Sequence, residues 1–404
     1  PCTATYRSRW HEAAAGTQKH KPAAPQAQVM ARILVVHNTF AFAGGADIVA
    51  LHTIAALADA HDVSVVTMSP VDLAARTAAV GLDIGVAGVT VHTPRWGGLV
   101  TRGLTAVSGV LGGQSALQSA LIARARGELY RRADLVVSTT NELGLRRPSV
   151  QYIHAPQFPT PGVTGLHRSG LTPLYRRLAR ADATRLGHAT LLANSAWTAD
   201  RVAEVYGHRP AVLAPPVTPV RCEDPPAERT PGVVLVGRIA PDKRVLAAIE
   251  AFDAVVDTRG PTPLHIIGPA APMYRGYREA VLAASASRPH VTVHLDADRS
   301  RLRALLCRHT VGLGMKPHEH FGMAIAEYAT AGVHPVTPAS GGQVEIVERV
   351  GGSTFQHETE LAETLMAALE APPPRPLPPD IYAPARFRAG MRAAVTEALA
   401  DAVK

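Results

Sequence analysis

From Arg32 onward, short runs of β-branched and aliphatic residues alternate with stretches of helical length, the pattern of βαβ units that build a parallel sheet. The runs Ile33–Val36, Val63–Thr67, Leu135–Ser138, Val150–Ile153 and Thr190–Ala193 predict strands, and Ala46–Ala58 and Trp197–Tyr206 predict helices between them. Pro210 to Pro231 then carries seven prolines with no helical or strand period across most of it, which predicts a linker. Beyond it the alternation restarts. Strands are expected at Val233–Val236, Leu264–Ile267, Val291–Leu295, Val311–Leu313 and Val333–Val336, with helices over Arg244–Val256, Tyr274–Ser285, Arg299–Cys307 and Gly322–Thr330. A second proline cluster, Pro372–Pro384, precedes an amphipathic stretch that predicts a last helix packing back on the first domain. The expected organisation is a leader over residues 1–29, a Rossmann-like domain over 30–215, a second over 216–384 and a crossover helix over 385–404. Ligands of such sheets bind beyond the carboxyl ends of the strands, so two of them face to face predict an interdomain cleft.

Composition narrows the partners. The net charge is +8, with Arg commoner than Lys, which suits a polyanionic ligand, an anionic membrane face or nucleic acid. Aromatic residues make up only 5% of the chain, and no basic stripe interleaved with aromatics is present, so no nucleic-acid partner is expected. No run approaches the length of an uncharged transmembrane helix; Gly97–Ala123 carries Arg102 and many Gly, Ser and Gln. The first 29 residues are basic and rich in Ala and Pro and lack the apolar core of a secretory signal. Cys2, Cys222 and Cys307 are too few and too scattered for a disulfide framework or a metal site, which favours a reducing cytoplasm.

Three segments carry chemistry. In "VLVGRIAPDKR" a strand ends at Gly237, and Arg238 and Lys243 flank a turn that opens a helix; cations beside helix-start amides suit a diphosphate, although a solvated surface pair has the same spacing. In "FAFAGGADIVA", Gly44 and Gly45 follow the first strand and let backbone approach an anion, but the spacing is not G-x-G-x-x-G, which weakens a dinucleotide reading. In "KPHEHFGMAIAE", Pro317 and Gly322 punctuate the chain, placing Glu319 in a loop and Glu327 inside the following helix. Acceptor-only carboxylates there suit the hydroxyls of a ribose and a hexose, and the amides of Gly322, Met323 and Ala324 are donors for a sugar or phosphate. Helix-end charge and plain surface exposure remain alternatives for the two acids.

Taken together these segments resemble the GT-B glycosyltransferases of family 4, retaining enzymes that use nucleotide sugars. The likeness runs from Met30 onward and includes "LLANSAWTADRVAEVYG" and "GGQVEIV". It implies that Arg238 and Lys243 bind the donor diphosphate and offset the leaving charge. Glu327 would hold the ribose, Glu319 the sugar hydroxyls, and Gly44, Gly45 and the Phe321–Ala324 amides the rest of the donor. The segment reads Glu319-His320-Phe321-Gly322 where most members read E-G-F-G, and with "YIHAP" it looks like the dolichol-linked α-1,2-mannosyltransferases. That likeness places His154, at the end of a strand, near the reacting sugar; a core histidine bonded to a carbonyl is the bland alternative. His318 and His320 lack a third ligand, and the fold class implies no metal and no cofactor beyond the nucleoside-diphosphate sugar itself. The expected enzyme is a cytoplasmic hexosyltransferase with GDP-mannose as favoured donor and a hydroxyl acceptor, lipid-linked or a small glycoside, bound through Thr93–Arg132, where a peripheral membrane contact also fits. Alternatives are a UDP-sugar transferase, an epimerase or phosphorylase of the same fold, a nicotinamide-dependent dehydrogenase and a non-catalytic membrane-surface scaffold.

Overall fold

Strands β1 (Arg32–Val36), β2 (Asp62–Val66), β3 (Thr90–His92), β4 (Leu135–Ser138), β5 (Ser149–Ile153), β6 (Ala189–Ala193) and β7 (Ala211–Val212) form a sheet in the order β3-β2-β1-β4-β5-β6-β7. Strands β8 (Thr230–Val236), β9 (Leu264–Gly268), β10 (Val291–Leu295), β11 (His309–Leu313), β12 (His334–Pro338) and β13 (Ser353–Phe355) form a second, ordered β10-β9-β8-β11-β12-β13. Every pairing is parallel. Ile33 to Val36, all of β4 and all of β5 are buried, as strands covered by helices on both faces must be. The computed structural model describes residues 30–40, 44–95, 97–98, 103, 114–124, 127–166, 168–222, 229–269 and 272–403; the expected leader and much of Gly97–Ala123 lie outside them.

Each sheet changes winding direction once, between β1 and β4 and between β8 and β11. Such a switch point leaves a crevice at the carboxyl ends of the strands. Gly268, at the end of β9, makes the second one possible: a Cβ there would stand 1.9 Å from the Gly237 carbonyl oxygen. The Met323–Ala331 helix is seated by Tyr328, whose ring slides over Gly312 of β11, where a Cβ would meet it at 2.3 Å. Its hydroxyl accepts from the Val236 N–H at 2.6 Å and donates to the Leu313 carbonyl at 3.3 Å, so this helix is pinned to the ends of β8 and β11.

The last helix, Pro384–Val403, packs on the first sheet as expected. Phe387, Met391 and Val395 recur at helical spacing and are buried with Val35, Val137 and Tyr152, and the Phe387 and Tyr152 rings meet edge to face at 5.7 Å. Burying each such side chain contributes about 1.5–3 kcal/mol, ample to hold the crossover in place.

Most of the proline-rich stretch is without helix or strand among its described residues, as expected; only its ends are strand, β7 and the start of β8 at Thr230, with Pro231 tolerated where the register with β11 shifts between His309 and Val311. One expectation is corrected: Cys222 and Cys307 form a disulfide, with Cα atoms 5.4 Å apart, although the cysteines read as too few and too scattered for a disulfide framework. The physical reason is tertiary. Residues 218–222 run along the Arg299–Arg308 helix, where Arg299 donates to the Thr218 carbonyl at 2.7 Å and Arg303 to the Arg221 carbonyl at 2.6 Å. Arg299, Arg303 and Cys307 are four residues apart, one stripe of that helix, so the strap arrives at Cys307 in register.

Candidate active site between the two sheets

At the second switch point β8 ends, Arg238 follows Gly237, and a single helical turn, Pro241–Lys243, leads into the Val245–Arg259 helix. Ile239 and Ala240 are buried and anchor this loop, leaving its charged residues partly exposed. The facing loop after β11 brings Lys316 and Glu319. Lys243 Nζ bonds Glu319 Oε2, and Lys316 Nζ lies 3.5 Å from Glu319 Oε1 and 3.6 Å from Asp242 Oδ2. Arg238 Nη2 completes the group at 3.6 Å from Asp242 Oδ2. Burial opposes ionisation of Glu319, but Lys243 and Lys316 outweigh it and hold the carboxyl well below the usual carboxylate range. Three cations against two acids leave a positive surplus, which an anionic ligand would neutralise.

Glu319 is in a loop, as expected. It pairs with Gly341, and the Gly342 N–H donates to the Glu319 carbonyl at 2.8 Å. The helix starts at Met323 with Gly322 before it at φ 92°, a left-handed backbone that favours glycine. Its first amides have no acceptor within the helix. Phe321 is buried and meets Tyr382 edge to face at 5.1 Å, so its side chain is core and only its backbone can serve a ligand. Glu327 sits in that helix with its side chain 13% exposed; Arg299 Nη1 bonds Oε1. Burial raises the Glu327 carboxyl above its ordinary value, and Arg299 limits the rise.

Residues of the first sheet close the site. Gly44 precedes the Gly45–Ala58 helix in extended backbone, and Gly45 touches the far side: a Cβ there would stand 2.5 Å from Met323 Sδ. His154 follows β5. Its backbone N–H donates to Asn141 Oδ1 at 2.5 Å, its carbonyl accepts from Asn194 at 3.0 Å, and Nε2 donates to the Thr139 carbonyl at 3.2 Å. That contact leaves Nδ1 as the ring's acceptor. Burial, and then His37, push His154 down to about 4, so it is neutral at physiological pH. His320 is likewise lowered to about 4 by burial and by Lys316, and it is near enough to feel His154.

The two remaining segments singled out in the sequence join the halves. Ser195 Oγ donates to the His320 carbonyl at 2.5 Å, and Trp197 stacks on His318 with ring centroids 6.2 Å apart. Glu345 accepts from the Trp197 N–H at 2.8 Å and the Ala196 N–H at 3.3 Å, a carboxylate of one half capping a helix start of the other. Gly342 permits this approach, since a Cβ would stand 2.1 Å from the His320 carbonyl oxygen.

The structure thus brings Arg238, Lys243 and Glu319 into one cluster and sets Gly45 against Met323, while Glu327 engages Arg299 instead of the cluster. Sequence reasoning missed Lys316, Arg299, Asn141 and a buried chain in which His37 Nδ1 lies 3.1 Å from Thr139 Oγ1 and His37 Nε2 3.4 Å from Asp47, itself bonded by Arg76 at 2.7 Å. A lysine three residues before Glu319 was a legible signal; the others depend on residues remote in sequence. Among the described residues no group of three or more His, Cys, Asp or Glu is arranged to hold a metal ion, and no helix is long and apolar enough to cross a membrane.

Residues 222–378 match the family model described as glycosyl transferases group 1. The match spans about two fifths of the chain and takes in the whole of the second sheet. Among curated proteins the chain is 27% identical, over 220 residues, to a GDP-Man:Man(3)GlcNAc(2)-PP-Dol alpha-1,2-mannosyltransferase of Neurospora crassa; the match covers 46% of this chain and 40% of that protein's length. The crystal structure of WaaG, a glycosyltransferase involved in lipopolysaccharide biosynthesis, aligns with a TM-score of 0.60 at 16% identity, over 91% of this chain and 98% of WaaG. Anabaena Alr3699/HepE, solved in complex with UDP and glucose, aligns with a TM-score of 0.56 at 16% identity, over 92% and 97% of the two chains. The described chain therefore carries the GT-B fold of these glycosyltransferases.

Proposed function

We propose that the chain is a retaining hexosyltransferase of family 4 that moves mannose from GDP-mannose to an acceptor hydroxyl. The observation that carries the reading is the cluster of Arg238, Lys243 and Lys316 around Glu319 and Asp242, at the switch point of the donor-side sheet and opposite His154. A diphosphate entering there finds fixed cations. Negative charge builds on the leaving phosphate as the glycosidic bond breaks, and Arg238 and Lys243 offset it; removing one such preorganised group costs on the order of 3 kcal/mol of barrier. Glu319 and the Met323 and Ala324 amides hold the sugar, and Glu327 accepts from the ribose. Neutral His154 takes a hydrogen bond from a sugar or acceptor hydroxyl. Same-face attack assisted by the leaving phosphate gives retention. No metal or further cofactor enters this reading.

The GDP-linked name of the Neurospora relative and the E-H-F-G segment support the donor; a lipid-linked acceptor, met at a membrane surface, rests on the same relative. Part of Thr93–Arg132, the expected acceptor segment, lies outside the described residues. A UDP-sugar is the second reading, supported by the UDP bound in the Anabaena neighbour. Calorimetry with GDP and UDP, followed by transfer assays with both mannosyl and glucosyl donors, separates them. GDP is expected to bind tighter. Arg238→Ala with Lys243→Ala should abolish turnover, and an unaltered donor affinity and rate in that double variant would overturn the diphosphate assignment.

A further inference from the structure

We propose that Arg299 is a positioning residue of the donor site, holding the Glu327 carboxylate in one orientation and ionised so that its second oxygen is free for the ribose hydroxyls; this rests on the ribose role given to Glu327 above.

The geometry is a fork. One guanidinium arm, Nη1, bonds Glu327 Oε1, and the other, Nη2, donates to the Thr218 carbonyl at 2.7 Å. A planar guanidinium bonded at both ends is restrained although its side chain is half-exposed, so it biases the direction of the carboxylate; a lysine has no second arm with which to do this. The anchor is itself built in. Arg303 bonds the Arg221 carbonyl and Cys307 is joined to Cys222, so the strap that supplies Thr218 is fixed along the helix that begins with Arg299. From the other side, Glu327 is held by the helix that Tyr328 pins to β8 and β11. Glu327 is thus the meeting point of two anchored pieces.

Arg299 is also the charged group that bears on Glu327 among the described residues; the hydroxyl of adjacent Tyr328 is taken up by Leu313 and Val236. Without Arg299, burial alone would act on the carboxyl, and it would protonate at higher pH. A protonated carboxyl loses acceptor capacity, which a ribose with two hydroxyl donors needs.

Affinity for GDP and for 2′,3′-dideoxy-GDP tests this in the intact chain. The wild type should prefer GDP. Arg299→Ala should reduce that preference about tenfold, with the loss deepening as pH falls. Arg299→Lys should keep the pH dependence near wild type while recovering only part of the preference. Arg288→Ala, which breaks the ion pair with Asp253 and touches neither the strap nor Glu327, is the structural control: a lower melting temperature with the preference intact. If Arg299→Ala only lowers the melting temperature, leaving preference and pH dependence unchanged, Arg299 is structural and the proposal is wrong. If Arg299→Ala does not fold, an Arg299→Lys preference equal to wild type overturns it equally. A wild type that does not distinguish the two nucleotides would instead sink the ribose role of Glu327.

Discussion

Glu142 is a buried acid that the proposed chemistry does not use directly. It lies in the turn after β4 and accepts from the Gln157 N–H at 2.7 Å, the Phe158 N–H at 3.3 Å and the Tyr206 hydroxyl at 2.7 Å, tying down the segment that follows His154. Burial raises its carboxyl to about 7, and these hydrogen bonds only moderate the rise. Unfolded, it would titrate near the ordinary glutamate value, so between that value and pH 7 the folded state binds the extra proton and stability falls as pH rises. Glu142→Gln should flatten thermal stability across that window and raise the melting temperature at pH 7.5, the gain in folding free energy being up to about 3 kcal/mol if all the acceptor bonds survive; an unchanged pH slope would show that Glu142 does not titrate there. His154 makes the opposite case. Its lowered value keeps the ring neutral, so transfer should show no titration of it from about pH 6 to about pH 8. His154→Ala should lower kcat by roughly 10²-fold while the GDP dissociation constant stays within about twofold. A donor affinity lost with the rate would place His154 on the nucleotide instead of the reacting hydroxyls.

Among the elements, those with an apolar period were legible and those fixed by remote partners were not. The strand runs and the last helix stand out because a parallel sheet needs covered strands and a packed helix needs an apolar stripe. The strap does not. Residues 218–222 show no apolar period, and their structure comes from Arg299, Arg303 and Cys307, some eighty positions along the chain. The site divides the same way. Arg238, Lys243 and Glu319 stood in motifs with a local spacing, whereas the Arg299 partner of Glu327 is 28 residues away and carries no spacing of its own. The strap also has a measurable weight. A disulfide closing an 85-residue loop is expected to stabilise by about 4 kcal/mol in the chain-entropy view, so Cys222→Ser, or reduction by a thiol, should shift the denaturant midpoint downward. A midpoint indifferent to reductant would mean that Arg229, whose guanidinium bonds the Leu306, His309 and Ala331 carbonyls, holds that corner alone.

At the scale of the molecule, the site exists only while the two sheets meet, and among the described residues few polar groups hold them together. Glu345 caps the Ala196–Tyr206 helix across the boundary, and Ser195 with Thr198 donates to the His320 carbonyl, at 2.5 and 3.3 Å. These contacts join the loop of Glu319 and His320 to the first sheet, so whatever opens the boundary also removes His154 from the donor cluster. A carboxylate on helix-start amides contributes about 0.3–1 kcal/mol on a surface and up to about 2 kcal/mol when partly buried, enough to bias an open–closed balance but not to unfold the chain. Glu345→Ala should therefore increase the radius of gyration measured by small-angle scattering without nucleotide, and added GDP should reverse part of the change, because a ligand that binds the closed form pulls the balance toward it. The same variant should transfer more slowly and hydrolyse relatively more donor, since an open cleft admits water to the leaving sugar. Glu345→Gln keeps an acceptor and loses the charge, so it should lie between. If Glu345→Ala leaves the scattering radius and the hydrolysis-to-transfer ratio at wild-type values, the helix cap does not control closure, and the Gly45–Met323 contact becomes the joint to break next.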